Sequence, residues 1–445
     1  MRKVTESTVL FISVLKWFVL ASVVGIIVGF STAIFIHALN YSSNFTGRFS
    51  LYYLFLPLAL FLSSLISKYL APEAEGHGTE KVIEAVHKRS AKIKAAVIPV
   101  KLLTTIITLA FGGSAGKEGP CAQIGGGLSS VFAGILKFDS KDRKKLVVCG
   151  ISAGFASVFG TPIAGAIFGI EVLFIGGIMY DILLPSFIAG VMSHQVSTAL
   201  GVSYFYHTVE FVPEFSEIFF LKVLFSGIFI GLCSLLFIES MKYFKDISDR
   251  IKIWNPFKGL IGGAALVLIA LVFSTDYLGL GLETIEASLV GTEISWLAFL
   301  IKIVTASITL SFGGSGGVVT PIFFVGSSFG NMYGQILGLD PSTFAAIGMV
   351  GLLAGCANTP IAASILAVEL FGPKIAPYAA VASVTSFLMT GHRSIYPSQV
   401  YAFMKSSSIK GAVGKEVESA VTEFHLRKKG LITSVMRLFR KLFGR

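Results

Sequence analysis

The chain has 445 residues, 54% of them hydrophobic and 14% charged, with a formal net charge of +11 and a mean hydropathy of +0.79. A soluble domain needs a polar shell around its core, so this composition excludes an ordinary soluble protein and predicts several membrane-spanning helices. The positive charge would suit nucleic acid, but it is concentrated in short loops and in the tail 427–445, as on the cytoplasmic side of membrane proteins. We therefore expect a multi-pass protein of the cell (inner) membrane, with the bilayer and not nucleic acid as its partner.

The apolar runs form two series on either side of a polar stretch. In chain order they span residues 9–39, 51–70, 93–111, 123–136, 146–158, 162–175 and 182–200, then 218–238, 258–273, 296–312, 321–337, 344–356, 360–371 and 376–388. The first run is too long for a signal peptide, so we predict that it remains as a membrane helix. Several others are shorter than the about 20 residues that span a bilayer, which predicts half-helices whose ends are satisfied inside the protein.

An internal repeat organises the chain. Three pairs of segments match in the same order: Gly76–Glu80 with Gly279–Glu283, Lys101–Gly116 with Lys302–Gly317, and Thr161–Glu171 with Thr359–Glu369. The longest pair reads K-x-x-T-x-x-I-T-L-x-F-G-G-S-x-G in both copies, at an offset of 302 − 101 = 201 residues. We predict a first membrane repeat over 1–200, a polar connection over 201–215, a second membrane repeat over 216–405 and a basic cytoplasmic tail over 406–445.

Loop charge indicates the relative orientation of the repeats. The basic loops 88–94 and 137–145 correspond to 288–295 and 338–342, which carry no Lys or Arg. Because Lys and Arg favour cytoplasmic loops, the second repeat is predicted to be inverted. The expected fold is an all-α polytopic membrane protein of two inverted-topology repeats of short, tilted and broken helices.

Glycine-rich breaks precede predicted apolar helices at 76–78, 116–120 and 316–321. Such breaks expose backbone N–H groups at the positive end of a helix. Several of these ends meeting inside the membrane would bind an anion weakly, without a fixed cation, as conduction requires. The alternative is that the glycines only let helices pack closely.

Glu118 is the residue that we expect to act on ions. A carboxylate inside a membrane is costly and marks an ion pathway or a proton relay. Its counterpart in the second repeat is Val319, so packing alone does not require an acid there. When ionised it would compete with an anion, and when protonated it would leave the anion site. The alternative is a helix cap or an ion pair with Lys117.

Three further readings follow from the motifs. Glu171 and Glu369 occupy equivalent positions in the two repeats, which favours a shared structural role. His77 lies inside a motif, so it is a candidate functional residue. Residues 112–116 read G-G-S-A-G, so an intramembrane serine hydrolase that uses Ser114 is an alternative, but Ser315 lies in an equally good match. The four cysteines form no CxxC pair, so neither a metal, a disulfide nor a cofactor is expected.

These motifs resemble those of the CLC family of chloride channels and chloride/proton antiporters, in its prokaryotic type without cytoplasmic CBS domains. The resemblance rests on G-K-E-G-P at 116–120, G-H-G-T-E at 76–80, G-G-V-V-T-P at 316–321 and Tyr396, and covers residues 9–404. It implies a homodimer in which each subunit has its own anion pathway.

The resemblance also implies roles for individual residues. Glu118 would be the external gate, the backbone N–H groups of Val318 and Val319 would coordinate the anion, and the Tyr396 hydroxyl would close the inner side. The remaining anion-site residues would be His77, Gly116, Lys117 and Gly119.

Three positions depart from the family pattern. His77 replaces a serine that often contacts the anion, and Val319 replaces a phenylalanine. Val172, directly after Glu171, replaces the internal proton glutamate of many antiporters, so the inner proton route would have to use Glu171 or water.

We expect a transporter, not an enzyme, that exchanges chloride for protons through Glu118. A passive Glu118-gated channel for chloride or another small anion is the alternative within the class, and the serine hydrolase is the alternative outside it.

Overall fold

The computed structural model describes residues 2–204, 206–209, 216–406, 408–411, 413–420 and 423–424. The first half contains the helices α1 (Arg2–Thr46), α2 (Leu56–Leu70), α3 (Gly78–Lys88), α4 (Val97–Ala110), α5 (Glu118–Ile135), α6 (Ser140–Phe159), α7 (Pro162–Glu171) and α8 (Leu183–Ala199). The second half contains α9 (Glu217–Arg250), α10 (Asn255–Val272), α11 (Leu282–Val290), α12 (Ala298–Ser311), α13 (Val319–Ile336), α14 (Pro341–Ala357), α15 (Pro360–Phe371) and α16 (Ala376–Met389).

Strands are limited, in the described ranges, to three pairs of two residues each. They are β1 (Gly76–His77) parallel to β3 (Ser315–Gly316), β2 (Phe174–Ile175) parallel to β4 (Val400–Tyr401), and β5 (Ile409–Lys410) antiparallel to β6 (Glu423–Phe424). Part of the predicted polar connection, at 210–215, and the basic tail from 425 onwards lie outside the described residues.

The eight helices of the first half correspond in order to the eight of the second. Helices α4 and α12 each have 14 residues, and α5 and α13 each have 18. The backbones of Gly116 and Gly317, which are equivalent positions, meet in an antiparallel bridge. Equivalent segments therefore run in opposite directions where they touch, as the prediction of an all-α fold of two inverted repeats requires.

Four helical stretches in the described residues are long and apolar enough to cross a membrane: Glu6–Thr46, Tyr52–Leu70, Glu217–Arg250 and Asn255–Val272. Other apolar helices are short, and α7 and α15 have only 10 and 12 residues. The predicted half-helices are therefore present, and their ends must find partners within the protein.

Polar residues at helix starts made the predicted bounds too narrow. Helix α6 begins at Ser140 and not at 146, because the Asp139 side chain accepts a hydrogen bond from the Asp142 amide and caps the helix. Helix α5 begins at Glu118 and not at 123, since Pro120 is tolerated in a first helical turn. The run after Gly78 is helical, as α3, but it is largely polar and not the apolar run expected.

Two glutamates connect the repeats reciprocally. The carboxylate of Glu171, at the end of α7, accepts hydrogen bonds from the Ile361 and Ala362 amides at 3.1 and 2.8 Å. Glu369, at the equivalent place in α15, accepts bonds from the α7 amides of residues 163 and 164 at 3.0 and 2.7 Å. Each acid caps the short helix of the other repeat, so the shared structural role predicted for the pair is confirmed.

The reciprocal caps predict a stability effect. Replacing either Glu171 or Glu369 by Ala leaves two amides of a partner helix without an acceptor and should lower the free energy of unfolding by about 1–3 kcal/mol. We expect a lower melting temperature in detergent for both variants. The exposed Glu293, changed to Ala in the same way, is the control and should leave the melting temperature unchanged. Equal melting temperatures for all three would contradict the capping role.

Candidate functional site

The two repeats meet at Gly116 and Gly317. The Gly116 amide donates to the Gly317 carbonyl at 2.7 Å, and the Gly317 amide donates to the Gly116 carbonyl at 2.6 Å. A Cβ on the neighbouring Gly316 would lie 2.3 Å from the Ala115 Cβ, closer than real side chains approach. The glycines therefore allow two backbones to touch on the pseudo-two-fold axis, which is the packing role that the sequence left open.

Three helix N-termini converge at this contact. Strand pairing places His77, which directly precedes α3, opposite Gly316, near the start of α13. A Cβ on Gly78 would lie 2.4 Å from the Gly119 carbonyl oxygen, so the first turns of α3 and α5 also touch. The prediction that the three glycine-rich breaks come together is thus confirmed. Their combined N–H groups and dipoles create a region that favours negative charge.

Glu118 lies within this region, and 1% of its surface is exposed. Its Oε2 accepts a hydrogen bond from the Thr320 amide at 3.2 Å, and its Oε1 accepts one from the Thr320 hydroxyl. The carboxylate therefore caps α13 from the other repeat. Among the described ion pairs none joins it to Lys117, the N-cap residue of α5.

Val318 and Val319 begin α13, and both are 1% exposed. Val318 is the N-cap residue and Val319 the first helical residue, so their N–H groups belong to the unsatisfied first turn of that helix. They lie beside the Thr320 amide that Glu118 engages. An anion at these amides and the Glu118 carboxylate would compete for one helix terminus.

Tyr396 lies on the other side of the first motif. Its ring is 5.8 Å from the His77 ring, between centroids, and it is fully buried. Its buried hydroxyl lies beside Thr79, and among the described residues the buried His77 Nδ1 has no hydrogen-bond partner. Because native proteins rarely leave a buried polar atom unpaired, His77 Nδ1 is a candidate contact for a ligand or water.

Gln399 was not anticipated from the sequence, and it holds the Tyr396 segment in place. Its Nε2 donates to the carbonyls of Val172 and Ala357 at 2.7 and 2.8 Å, at the ends of α7 and α14. Its Oε1 accepts from the Ser394 hydroxyl at 2.5 Å, and Ser394 in turn accepts the Tyr396 amide at 2.9 Å. A glutamine outside any motif carries no sequence signal for this role.

Two buried lysines, also not anticipated, hold the loops before α3 and α11. Lys101 Nζ donates to the carbonyls of Ala74 and Gly76 at 3.1 and 2.5 Å. Lys302 Nζ donates to the equivalent Gly279 carbonyl at 2.9 Å. Each lysine begins one copy of the longest repeated segment, and this shared position was the sequence signal that could have indicated their role. Both ammonium groups face carbonyl oxygens, so Lys101 fixes the loop that carries His77 and Lys302 fixes the equivalent loop before α11.

The predicted site residues separate into two groups. His77, Gly116, Lys117, Glu118, Gly119, Val318, Val319 and Tyr396 lie around the junction of the three helix starts. Glu171 and Val172 lie at the end of α7, where Glu171 caps α15 and Val172 is fully buried.

Two inverted repeats whose broken helices meet at a buried carboxylate define a membrane transport protein. Residues 58–391 match the family model described as "Voltage gated chloride channel". The chain belongs to this family, whose members are transporters and channels and not enzymes.

Relatives and solved structures agree with this assignment. The chain is 34% identical over 391 residues to the "Chloride/fluoride channel protein" of Pseudomonas syringae pv. tomato, covering 86% of each. It is 27% identical over 315 residues to the "Voltage-gated ClC-type chloride channel ClcB" of Escherichia coli O17:K52:H18, covering 68% of this chain and 74% of that one.

Among solved structures, it superimposes on a CLC-type fluoride/proton antiporter with a TM-score of 0.83 at 29% identity, over 87% of this chain and 98% of the other. The fold is also that of a slow cyanobacterial Cl-/H+ antiporter, with a TM-score of 0.75 at 20% identity, over 85% and 96%.

The contact at Gly116 gives a steric prediction. A Cβ there would lie 2.2 Å from Glu118 Oε2 and 3.0 Å from the Thr320 amide nitrogen. We expect Gly116→Ala to displace the carboxylate and to reduce halide efflux from liposomes by about tenfold or more, as overpacking a buried site does. Gly134→Ala, in the open part of α5, is the control and should transport normally. Normal efflux by Gly116→Ala would show that the carboxylate does not need this space.

Proposed function

We propose that this protein moves a small halide across the membrane in exchange for protons, and that Glu118 is both the gate and the proton carrier. One observation supports this above all: the Glu118 carboxylate occupies the N-terminus of α13, hydrogen-bonded to the amide and hydroxyl of Thr320. A buried anionic side chain at an anion site can be exchanged for a free anion only if it leaves, and protonation lets it leave.

The cycle follows from that competition. The ionised carboxylate closes the pathway by accepting the hydrogen bonds at the start of α13. Once protonated, it makes weaker bonds there and moves away, and a halide takes its place at the N–H groups of Val318, Val319 and Thr320. Release of the halide and return of the carboxylate deliver the proton. His77 and Tyr396 would line the inner part of the route, where the unpaired His77 Nδ1 can meet the ion.

Weak binding is part of the proposal. Lys101 and Lys302 are fully buried, but their ammonium groups are directed at backbone carbonyls. The ion would therefore meet helix ends and no fixed cation that it could pair with directly, which permits release as well as entry.

Chloride is the halide expected from the sequence, and fluoride is a second candidate. The names of the relatives described above include both ions, and the structure with a TM-score of 0.83 is that of a fluoride/proton antiporter. Fluoride is small and a strong hydrogen-bond acceptor, so a site that presents N–H and O–H donors from His77 and Thr320 would suit it.

A passive channel is the alternative that Val172 favours. Val172 is fully buried and its carbonyl accepts the Gln399 amide group, so no titratable side chain stands at that point of the inner route. A channel would carry halide without moving protons.

The serine hydrolase has less support. The Ser114 hydroxyl accepts a hydrogen bond from Thr305, and its amide donates to Thr309. Ser315 repeats this arrangement with Thr104 and Thr108. Two equivalent serines, each bonded to threonines of the other repeat, favour a structural role for both.

We also propose a homodimer in the cell (inner) membrane, with the basic loops 88–94 and 137–145 on the cytoplasmic side. Residues 1–200 and 216–405 would be the two repeats, joined by 201–215 and followed by the cytoplasmic tail 406–445.

The exchange mechanism predicts the behaviour of Glu118→Gln. In liposomes, a halide gradient should drive protons uphill through the wild type. The variant should lose this proton flux, because an amide cannot carry a proton, yet still pass halide. Glu286→Gln, an exposed substitution, should behave as the wild type. Halide flux without proton flux in the wild type would identify a channel, and no halide flux at all would overturn the proposal.

Halide choice has its own test. Efflux measured separately with fluoride and chloride electrodes gives the ratio of the two rates. If His77 is a donor to the ion, His77→Ala should change this ratio by about fivefold or more, the loss of one hydrogen bond worth about 1 kcal/mol. His194→Ala, on a half-buried histidine of α8, should leave it unchanged. A constant ratio in His77→Ala would remove His77 from the anion site.

A further inference from the structure

Glu80 is an acidic side chain near the site that the transport cycle above does not use. It is the third residue of α3, and its Oε1 accepts hydrogen bonds from the amide and hydroxyl of Ser398 at 3.0 and 2.5 Å. Its Oε2 is buried and has no hydrogen-bond partner in the described structure. One oxygen is thus held in place while the other can accept a proton.

Its position lies between the anion site and the basic surface. His77 directly precedes α3, whose 11 residues extend about 16 Å. At the far end of this helix, Lys88 pairs with Glu416 at 2.8 Å, beside the basic loop. Ser398, which holds Glu80, is two residues beyond Tyr396. Glu80 therefore lies on the inner side of the His77–Tyr396 pair, and part of its surface remains accessible.

Three neighbouring acids form ion pairs, whereas Glu80 forms none among the described residues. The carboxylates around it are paired with bases: Glu84 with Lys81 at 3.2 Å, Glu73 with Arg89 at 3.0 Å, and Glu416 with Lys88 at 2.8 Å. Glu171, the inner acid suggested by the sequence, has both oxygens on α15 amides. No ion pair to Glu80 occurs in the part of the chain that the structure describes.

Other charged groups also face α3. Lys81 and Glu84 act on it from its own helix. Glu118 faces α3 from α5, on the opposite side of His77. Lys144 faces it from α6, at the far end of α3 beside His87. The equivalent of Glu80 in the second repeat, Glu283, is exposed, so the fold does not need a buried acid at this place.

We propose that Glu80 is the inner proton-transfer residue of the exchange cycle, an inference that rests on the proposed proton coupling. Its Oε2 takes a proton from a hydronium ion at the inner surface, which leaves water and a neutral carboxylic acid. The acid passes this proton, through water beside His77 and Tyr396, to the Glu118 carboxylate at the start of α13, which can then leave that helix terminus. Glu80 is then ionised again and Glu118 is neutral, so one proton has moved and no other reactant is consumed.

The test measures halide and proton fluxes together, from liposomes that contain the purified full chain. In Glu80→Gln, we expect the ratio of protons to halide to fall by about tenfold or more, the scale of a lost proton-transfer group. Halide flux itself should continue, because the anion site is intact. Glu80→Asp, which keeps a carboxylate, should restore part of the ratio. Glu283→Gln is the matched control and should keep the wild-type ratio.

The outcomes separate the two proposals. If the wild type moves no protons, the exchange cycle fails and the role of Glu80 fails with it. If the wild type moves protons and Glu80→Gln moves as many per halide, Glu80 is not on the route but the exchange stands. If Glu80→Gln does not fold, the double variant Glu80→Ala with Ser398→Ala, which removes the acceptor and the hydroxyl donor together, decides by the same ratio.

Discussion

The close approach of two backbones at Gly116 and Gly317 is the constraint on which the rest of the structure depends. Their mutual hydrogen bonds, at 2.7 and 2.6 Å, leave no room for a side chain between the repeats. Because the backbones of the two repeats touch here, three helices start around one point, and their unsatisfied N–H groups lie close together there. The same contact brings Glu118 of one repeat onto the first turn of the other, so packing and ion chemistry share a single cause.

The candidate anion site is built from helix ends and not from basic side chains. Helix ends offer partial charges that can stabilise an anion but cannot bind it as a salt bridge would. The acids near the site are held differently: Glu118 by Thr320, Glu171 by two α15 amides, and Glu80 by Ser398. Of these three acids, only Glu80 has an oxygen without a partner, so it can accept a proton there without losing an existing hydrogen bond.

Much of the fold was predictable because its signals are local. Repeated segments, glycines and short apolar runs gave the two inverted repeats and the convergence of the helix starts. The helix after the break at 76–78 was expected to be apolar, but α3 is largely polar, since its buried face is short and the rest is charged. Contacts between distant residues also left no local pattern, and Ser398 lies 318 residues from Glu80. Likewise, nothing beside Gln399 in the sequence indicates that it joins α7, α14 and the Tyr396 segment.

The reciprocal caps on α7 and α15 have a consequence for biosynthesis. The α7 amide of Ile163 depends on an acceptor in Glu369, 206 residues further along the chain. A ribosome therefore delivers the first repeat to the bilayer before its partner exists, with a helix start that nothing yet satisfies. The first repeat can therefore complete this cap only after most of the second repeat has been synthesised.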